Sequence, residues 1–162
     1  SDTVLRGECL GGAMYLEDYR RILHQCGCAD GRTLSTEPLE VHNPKLREQL
    51  GLANFYSLNQ RAFKLDLEDR CEDYGQVAYY KGTIPGHPHG FELDDHHFFV
   101  TGKPMTVCSN TADMLQKTRF GEHFRVEGDT KVHYGLFDCG PAVPVGSSGT
   151  SSPIPDSGAG CC

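Results

Sequence analysis

The sequence predicts an α/β segment over residues 1–67, a smaller α+β unit over residues 68–139 and a disordered tail over residues 140–162. Three observations carry this. Apolar residues recur at helical spacing over residues 14–26, and strand-like runs follow on either side of a second, short helix. From Cys71 onward the pattern changes to strands and turns with little helix. The last 23 residues include 14 Gly, Pro and Ser, which leaves too little apolar surface to order them.

In residues 14–26, Tyr15, Tyr19, Ile22, Leu23 and Cys26 form an apolar stripe, with Glu17, Asp18, Arg20 and Arg21 on the other side. Gly27 is placed to stop this helix, and Cys26, on the stripe, is most simply a core residue. Residues 32–42 read as a strand that Pro38 confines to an edge. Asn43 then offers a side-chain oxygen as N-cap, Pro44 suits the first helical position, and Gly51 closes a short helix. Residues 53–67 carry Phe55, Leu58, Phe63, Leu65 and Leu67 among polar residues, a long strand with an irregularity near Asn59.

In the second unit, Val77 and Tyr79 alternate with Ala78 and Tyr80 in a strand that starts after Gly75. Residues 82–90 form a Gly/Pro loop, residues 91–101 a strand, and Gly102 with Lys103 turns it back into residues 104–108. Ser109 or Asn110 caps a helix over residues 112–117, with Met114 and Leu115 toward the core, and residues 124–127 are a last strand.

Hydrophobic residues at 38% and charged residues at 23% are ordinary for a soluble globular chain. Acidic residues outnumber basic ones, 22 to 15, and a net charge of -7 lacks the basic stripe that nucleic acid or an anionic membrane needs. No apolar run approaches the roughly 20 residues of a membrane helix, and the first residues lack the regions of a signal peptide. These features predict a soluble, cytoplasmic protein. No Met or folded-looking cap precedes Gly7, which reads as a fragment of something longer.

The eight cysteines are too sparse for a small disulfide scaffold. Cys71 stands in RCEDYGQVAYYKGTI (residues 70–84) just ahead of a strand, and Cys9 stands in GECLGGA (residues 7–13), where glycines allow close backbone approach. The two are read as holding one soft ion across the seam between the units, against the alternative of buried structural thiols. Cys26 and Cys28 form a weak Cys-x-Cys zinc signal, and Cys108 and Cys139 default to structural thiols. His87, His89, His96 and His97 are read as loop or surface residues, with Asp94 and Asp95 solvated. The terminal pair Cys161 and Cys162 is either a mobile vicinal dithiol or an end without a role.

GECLGGAMY from Gly7, the helix, the strand with Phe55 and Phe63, and then RCEDYGQ together resemble the C-terminal half of the arsenite S-adenosylmethionine methyltransferases, over roughly residues 4–127. The terminal Gly-Cys-Cys resembles tails of eukaryotic members. The resemblance implies that residues 1–67 finish a class I (Rossmann-like) methyltransferase sheet and that residues 68–139 form an arsenic(III)-binding domain. It also implies that Cys9 and Cys71 are the catalytic and arsenic-ligating thiols, orienting arsenic so that its lone pair meets the methyl of S-adenosylmethionine. Glutathione or thioredoxin would serve as reductant, and the protein would be a monomer. The sequence departs from the family in lacking the glycine-rich turn and ribose-binding acid of a cofactor domain, so no cofactor-binding residue is assigned, and the cofactor is expected in an N-terminal half. The chain alone would bind arsenite without methylating it. The competing readings are a non-catalytic cysteine-based metal or metalloid module, which would use Cys26, Cys28 and the tail pair, and a disulfide-bonded extracellular protein.

Overall fold

The computed structural model describes residues 10–139, and Cys9, Cys161 and Cys162 lie outside the described residues. The chain divides between Lys64 and Leu65 into two compact units. No described helix is long and apolar enough to cross a membrane.

In unit 1 a helical turn, Leu10–Gly12, precedes α1 (Leu16–Gln25), β1 (Gly31–Leu39), α2 (Pro44–Leu50) and β2 (Phe55–Ala62). Helix α1 ends where Gly27 takes φ +83°: the Gly27 N–H donates to the His24 carbonyl at 2.9 Å and the Cys28 N–H to the Leu23 carbonyl at 2.9 Å. This pairing satisfies the last carbonyls through a left-handed glycine. Cys26 is therefore the residue that ends the helix, and it is exposed rather than part of a core. The short helix α2 is punctuated as expected. Asn43 accepts from the N–H groups of Lys45 at 3.0 Å and Leu46 at 3.4 Å, Pro44 opens it and Gly51 closes it at φ +59°.

Strands β1 and β2 pair antiparallel from Gly31↔Ala62 to Leu39↔Phe55, with a register shift between Thr33 and Ser35 opposite Gln60 and Asn59. The Gln60 amide bridges the shift by donating to the Thr33 hydroxyl at 2.9 Å. Strand β2 stops at Ala62, short of the expected residue 67. Few apolar groups are covered: Leu46 and Phe63 are buried, as is the Asp30–Arg32 ion pair (2.9 Å), whereas Tyr15, Leu16, Ile22, Leu39, Tyr56 and Leu58 are exposed. No residue of α1 is buried.

Unit 2 contains β3 (Glu72–Asp73), β4 (Val77–Tyr80), β5 (Gly90–Glu92), β6 (Phe98–Val100), β7 (Pro104–Thr106), α3 (Ser109–Gln116), β8 (Phe124–Glu127) and β9 (Gly135–Leu136). Strand β4 is central, flanked antiparallel by β7 and β8, while β5 pairs β6 and β3 pairs β9. The alternation of β4 buries Ala78 and Tyr80 and leaves Val77 and Tyr79 half-buried. Tyr80 stands 5.0 Å from Phe124 and 5.9 Å from Phe91, and Phe99 stands 5.1 Å from Phe124. Its hydroxyl is satisfied inside this cluster, donating to the His87 carbonyl at 2.7 Å and accepting from the Ile84 N–H at 3.0 Å. Leu93, Val107, Met114 and Leu115 complete the core.

Three expectations for this unit are corrected. The run 91–101 is a hairpin, β5 and β6, because the Asp94 carboxylate accepts from the backbone N–H groups of His96 (2.9 Å) and His97 (2.8 Å) and turns the chain back. Asp94 and His97 are thus a buried pair, 2.7 Å apart, while Asp95, His96, His87 and His89 are exposed. The Gly102 turn does return the chain, but β7 pairs with β4 and not with β6.

A candidate thiol site

Three segments of unit 2 meet at sulfur. The first is the approach to β3. Asn110, buried in the first turn of α3, accepts from the Glu68 N–H at 2.9 Å and donates to the Glu68 carbonyl at 2.9 Å, so both backbone groups of Glu68 are fixed three residues before Cys71. Ser109 donates to the Glu68 carboxylate, and the Tyr74 hydroxyl donates to it at 2.8 Å. That hydrogen bond with Glu68 raises Tyr74 above its ordinary value of 10.0.

The second segment is the start of α3. Cys108, rather than Ser109 or Asn110, is its N-cap, with the Thr111 N–H donating to Sγ at 3.5 Å. Val107 is tied to the residue just before β4 by its N–H donating to the Gln76 carbonyl at 3.1 Å. The third segment is the return through β9. Glu72 pairs with Leu136, the Phe137 N–H donates to the Cys71 carbonyl at 2.8 Å, and the Tyr134 N–H donates to the Asp73 carbonyl at 2.8 Å. That register carries Cys139 back beside Cys71.

The sulfurs of Cys71, Cys108 and Cys139 all lie within 4.8 Å of one another. Cys71 is 3% exposed, Cys108 is 0% exposed and Cys139 is half-buried, so the group is enclosed with one member reaching solvent. Cys71 is disulfide-bonded. Thiolate donors are soft, and a set made of them alone suits soft or thiophilic ions. The other close group, Asp94, Asp95 and His96, is hard in character, and its central carboxylate is engaged in the β5–β6 turn.

Of the two thiols singled out in the sequence, Cys71 is therefore placed in a sulfur cluster, and Cys9 lies outside the described residues. Cys108 and Cys139 were missed as cluster members. No local spacing marks them, because pairing of β3 with β9 and docking of the α3 N-terminus bring them in from far along the chain. Among the described residues, Cys26 and Cys28 join no group of ligands.

Residues 73–140 match the family described as the arsenite methyltransferase C-terminal domain. Among curated proteins, the arsenite methyltransferase of Aquipseudomonas alcaligenes is 49% identical over 145 residues, 88% of this chain and 42% of the relative. That of Mus musculus is 35% identical over 124 residues, 76% of this chain and 32% of the relative. The crystal structure of an arsenic(III) S-adenosylmethionine methyltransferase from Chlamydomonas reinhardtii superposes with a TM-score of 0.78 at 52% identity, covering 83% of this chain and 46% of that one. The chain thus spans less than half the length of these arsenite methyltransferases. Its described residues are of mixed α/β structure with small sheets and few helices.

Proposed function

We propose that this chain is the arsenic-holding C-terminal part of an S-adenosylmethionine-dependent arsenite methyltransferase. The observation that carries the reading is Cys71, an enclosed sulfur in a thiol cluster two residues ahead of the segment that matches the family. Thiolate suits trivalent arsenic, and binding displaces the thiol proton, so affinity rises with pH until the sulfurs are thiolates. Following the resemblance, Cys9 is the partner of Cys71, and the two act by holding and orienting the substrate ion.

The cofactor supplies an activated methyl carbon when bound, but the described residues do not fit it. The adjacent glycines Gly11 and Gly12 sit in the helical turn Leu10–Gly12, with no described strand before it, and no glycine-rich strand-to-helix turn follows elsewhere. We assign the cofactor to the part of the relatives' length that this chain does not span. The exposed apolar residues of α1 and of the β1–β2 pair support residues 1–67 as closing elements of a class I, Rossmann-like sheet that further chain would cover. A thiol reductant, thioredoxin or glutathione in the cytoplasm, would keep the ligating sulfurs reduced, in keeping with the disulfide at Cys71.

The test is arsenite titration of the reduced chain, followed by mass shift. Cys71→Ser weakens binding by about 100-fold, the loss of one arm of a multidentate site, while Cys28→Ser leaves it unchanged. Equal binding by both variants and the parent chain would sink the reading.

A further inference from the structure

The disulfide at Cys71 is shut away from solvent. Cys71 is 3% exposed, and its disulfide partner is neither Cys108 nor Cys139, which are both thiols. Thiol–disulfide exchange requires the attacking sulfur to reach the bonded one, and burial screens Cys71 from a reductant in solution. The sulfurs of Cys108 and Cys139, in contrast, stand within 4.8 Å of Cys71 and of each other. We propose that Cys108 and Cys139 are a resolving dithiol, which takes the disulfide from Cys71 and hands it to an external reductant at Cys139. The arsenic reading plays no part in this, because the exchange is between sulfurs, whatever Cys71 holds afterwards.

The three sulfurs are graded in access. Cys108 is 0% exposed, so it meets no reagent from outside and exchanges only with its neighbours. Its sulfur is held in place: Cys108 is the N-cap of α3, with the Thr111 N–H donating to Sγ at 3.5 Å and the Thr111 hydroxyl 3.3 Å away. Cys139 is half-buried and follows the two-residue strand β9, in a stretch where none of residues 129–138 is buried. One thiol therefore faces the disulfide from the body of the unit, and the other reaches it from the surface. Closing a gap of at most 4.8 Å to the S–S length of about 2 Å is a matter of side-chain rotation.

Each step exchanges one S–S bond for another. Cys108 attacks the Cys71 sulfur; the bond to the former partner breaks, a Cys71–Cys108 bond forms, and the proton of Cys108 ends on the departing sulfur. Cys139 then attacks Cys108, so that a Cys108–Cys139 bond forms and Cys71 leaves as a thiol. The net change is a two-electron transfer: the disulfide at Cys71 becomes two thiols, and the thiols of Cys108 and Cys139 become a disulfide. An external dithiol closes the cycle by attacking Cys139, which frees Cys108, and its second thiol then releases Cys139 as the reagent departs as its own disulfide.

The test follows the full chain carrying the disulfide at Cys71, kept free of oxygen and of reductant, then quenched with acid, alkylated and mapped by peptide mass spectrometry. A Cys108–Cys139 disulfide should appear as Cys71 becomes open to alkylation, at a rate independent of chain concentration. With a dithiol added, Cys71 should be released about 10-fold more slowly in Cys139→Ser and in Cys108→Ser than in the parent chain. Serine is itself a favoured N-cap, so Cys108→Ser keeps the start of α3, and Cys139→Ser alters a half-buried position. Thiols that only fill space would leave these rates unchanged. Release at the parent rate in both variants overturns the relay. So does the absence of any Cys108–Cys139 disulfide in the parent chain, a measurement that needs no variant to fold. Arsenite titration stands apart from both results: loss of the relay leaves the arsenic reading in place, and loss of arsenite binding leaves the relay.

Discussion

Replacing Asn110 with Ala removes the clamp that fixes the approach to Cys71. The side chain, 4% exposed, makes two hydrogen bonds at 2.9 Å to one residue, accepting from the Glu68 N–H and donating to the Glu68 carbonyl. A hydrogen bond of this kind contributes about 1 kcal/mol net, and because Glu68 is itself exposed, water can take over its freed groups. The expected loss is therefore about 2 kcal/mol rather than the larger penalty of two buried orphans. Urea unfolding monitored by the tyrosine and phenylalanine signals of unit 2 gives that number, and arsenite titration of the reduced variant gives the effect on Cys71. Asn110→Asp sharpens the comparison: it retains an acceptor for the Glu68 N–H but sets an oxygen against the Glu68 carbonyl. It should be no more stable than Asn110→Ala. A stability change below about 0.5 kcal/mol together with unchanged arsenite affinity would refute the idea that this clamp positions Cys71.

Phe124→Ala should cost about 3 to 5 kcal/mol, because the ring is 4% exposed and stands 5.0 Å from Tyr80 and 5.1 Å from Phe99. Near-ultraviolet circular dichroism of unit 2 should collapse at a lower temperature than in the parent chain. Tyr74 offers a pH test. Its pKa in the folded chain is raised by the hydrogen bond to Glu68, so its neutral form contributes stability that is present below the unfolded value of 10.0 and is lost as pH rises through the folded value. Tyr74→Phe should abolish that alkaline dependence, which unfolding midpoints measured on either side of pH 10 would show.

Local signals in the sequence located the elements that local chemistry dictates. Asn43, Pro44 and Gly51 fix α2 by capping, the alternation from Val77 to Tyr80 fixes β4, and the irregularity near Asn59 is the register shift of β1 and β2. The strand over residues 91–101 failed because Asp94 can lock a turn with its own carboxylate, which apolar periodicity does not register. Cys26 lies on the apolar stripe and is nevertheless exposed, since a helical stripe shows which face could be covered and not whether anything covers it. Cys71, singled out by its motif, stands in the sulfur cluster. Its neighbours Cys108 and Cys139 were not singled out, because their approach depends on strand pairing between residues far apart in the chain, and such pairing leaves no mark on the spacing of the cysteines themselves.

The β3–β9 pair is only two residues long on each side. Its flanking support includes the Tyr134 and Phe137 amides and an exposed bond, 2.7 Å, between His133 and Glu72. None of residues 129–138 is buried. A return strand this short and exposed is a latch that local opening would reach before the aromatic cluster around Tyr80. Of the three clustered sulfurs, two are mounted on the body of the unit and the third rides on the latch.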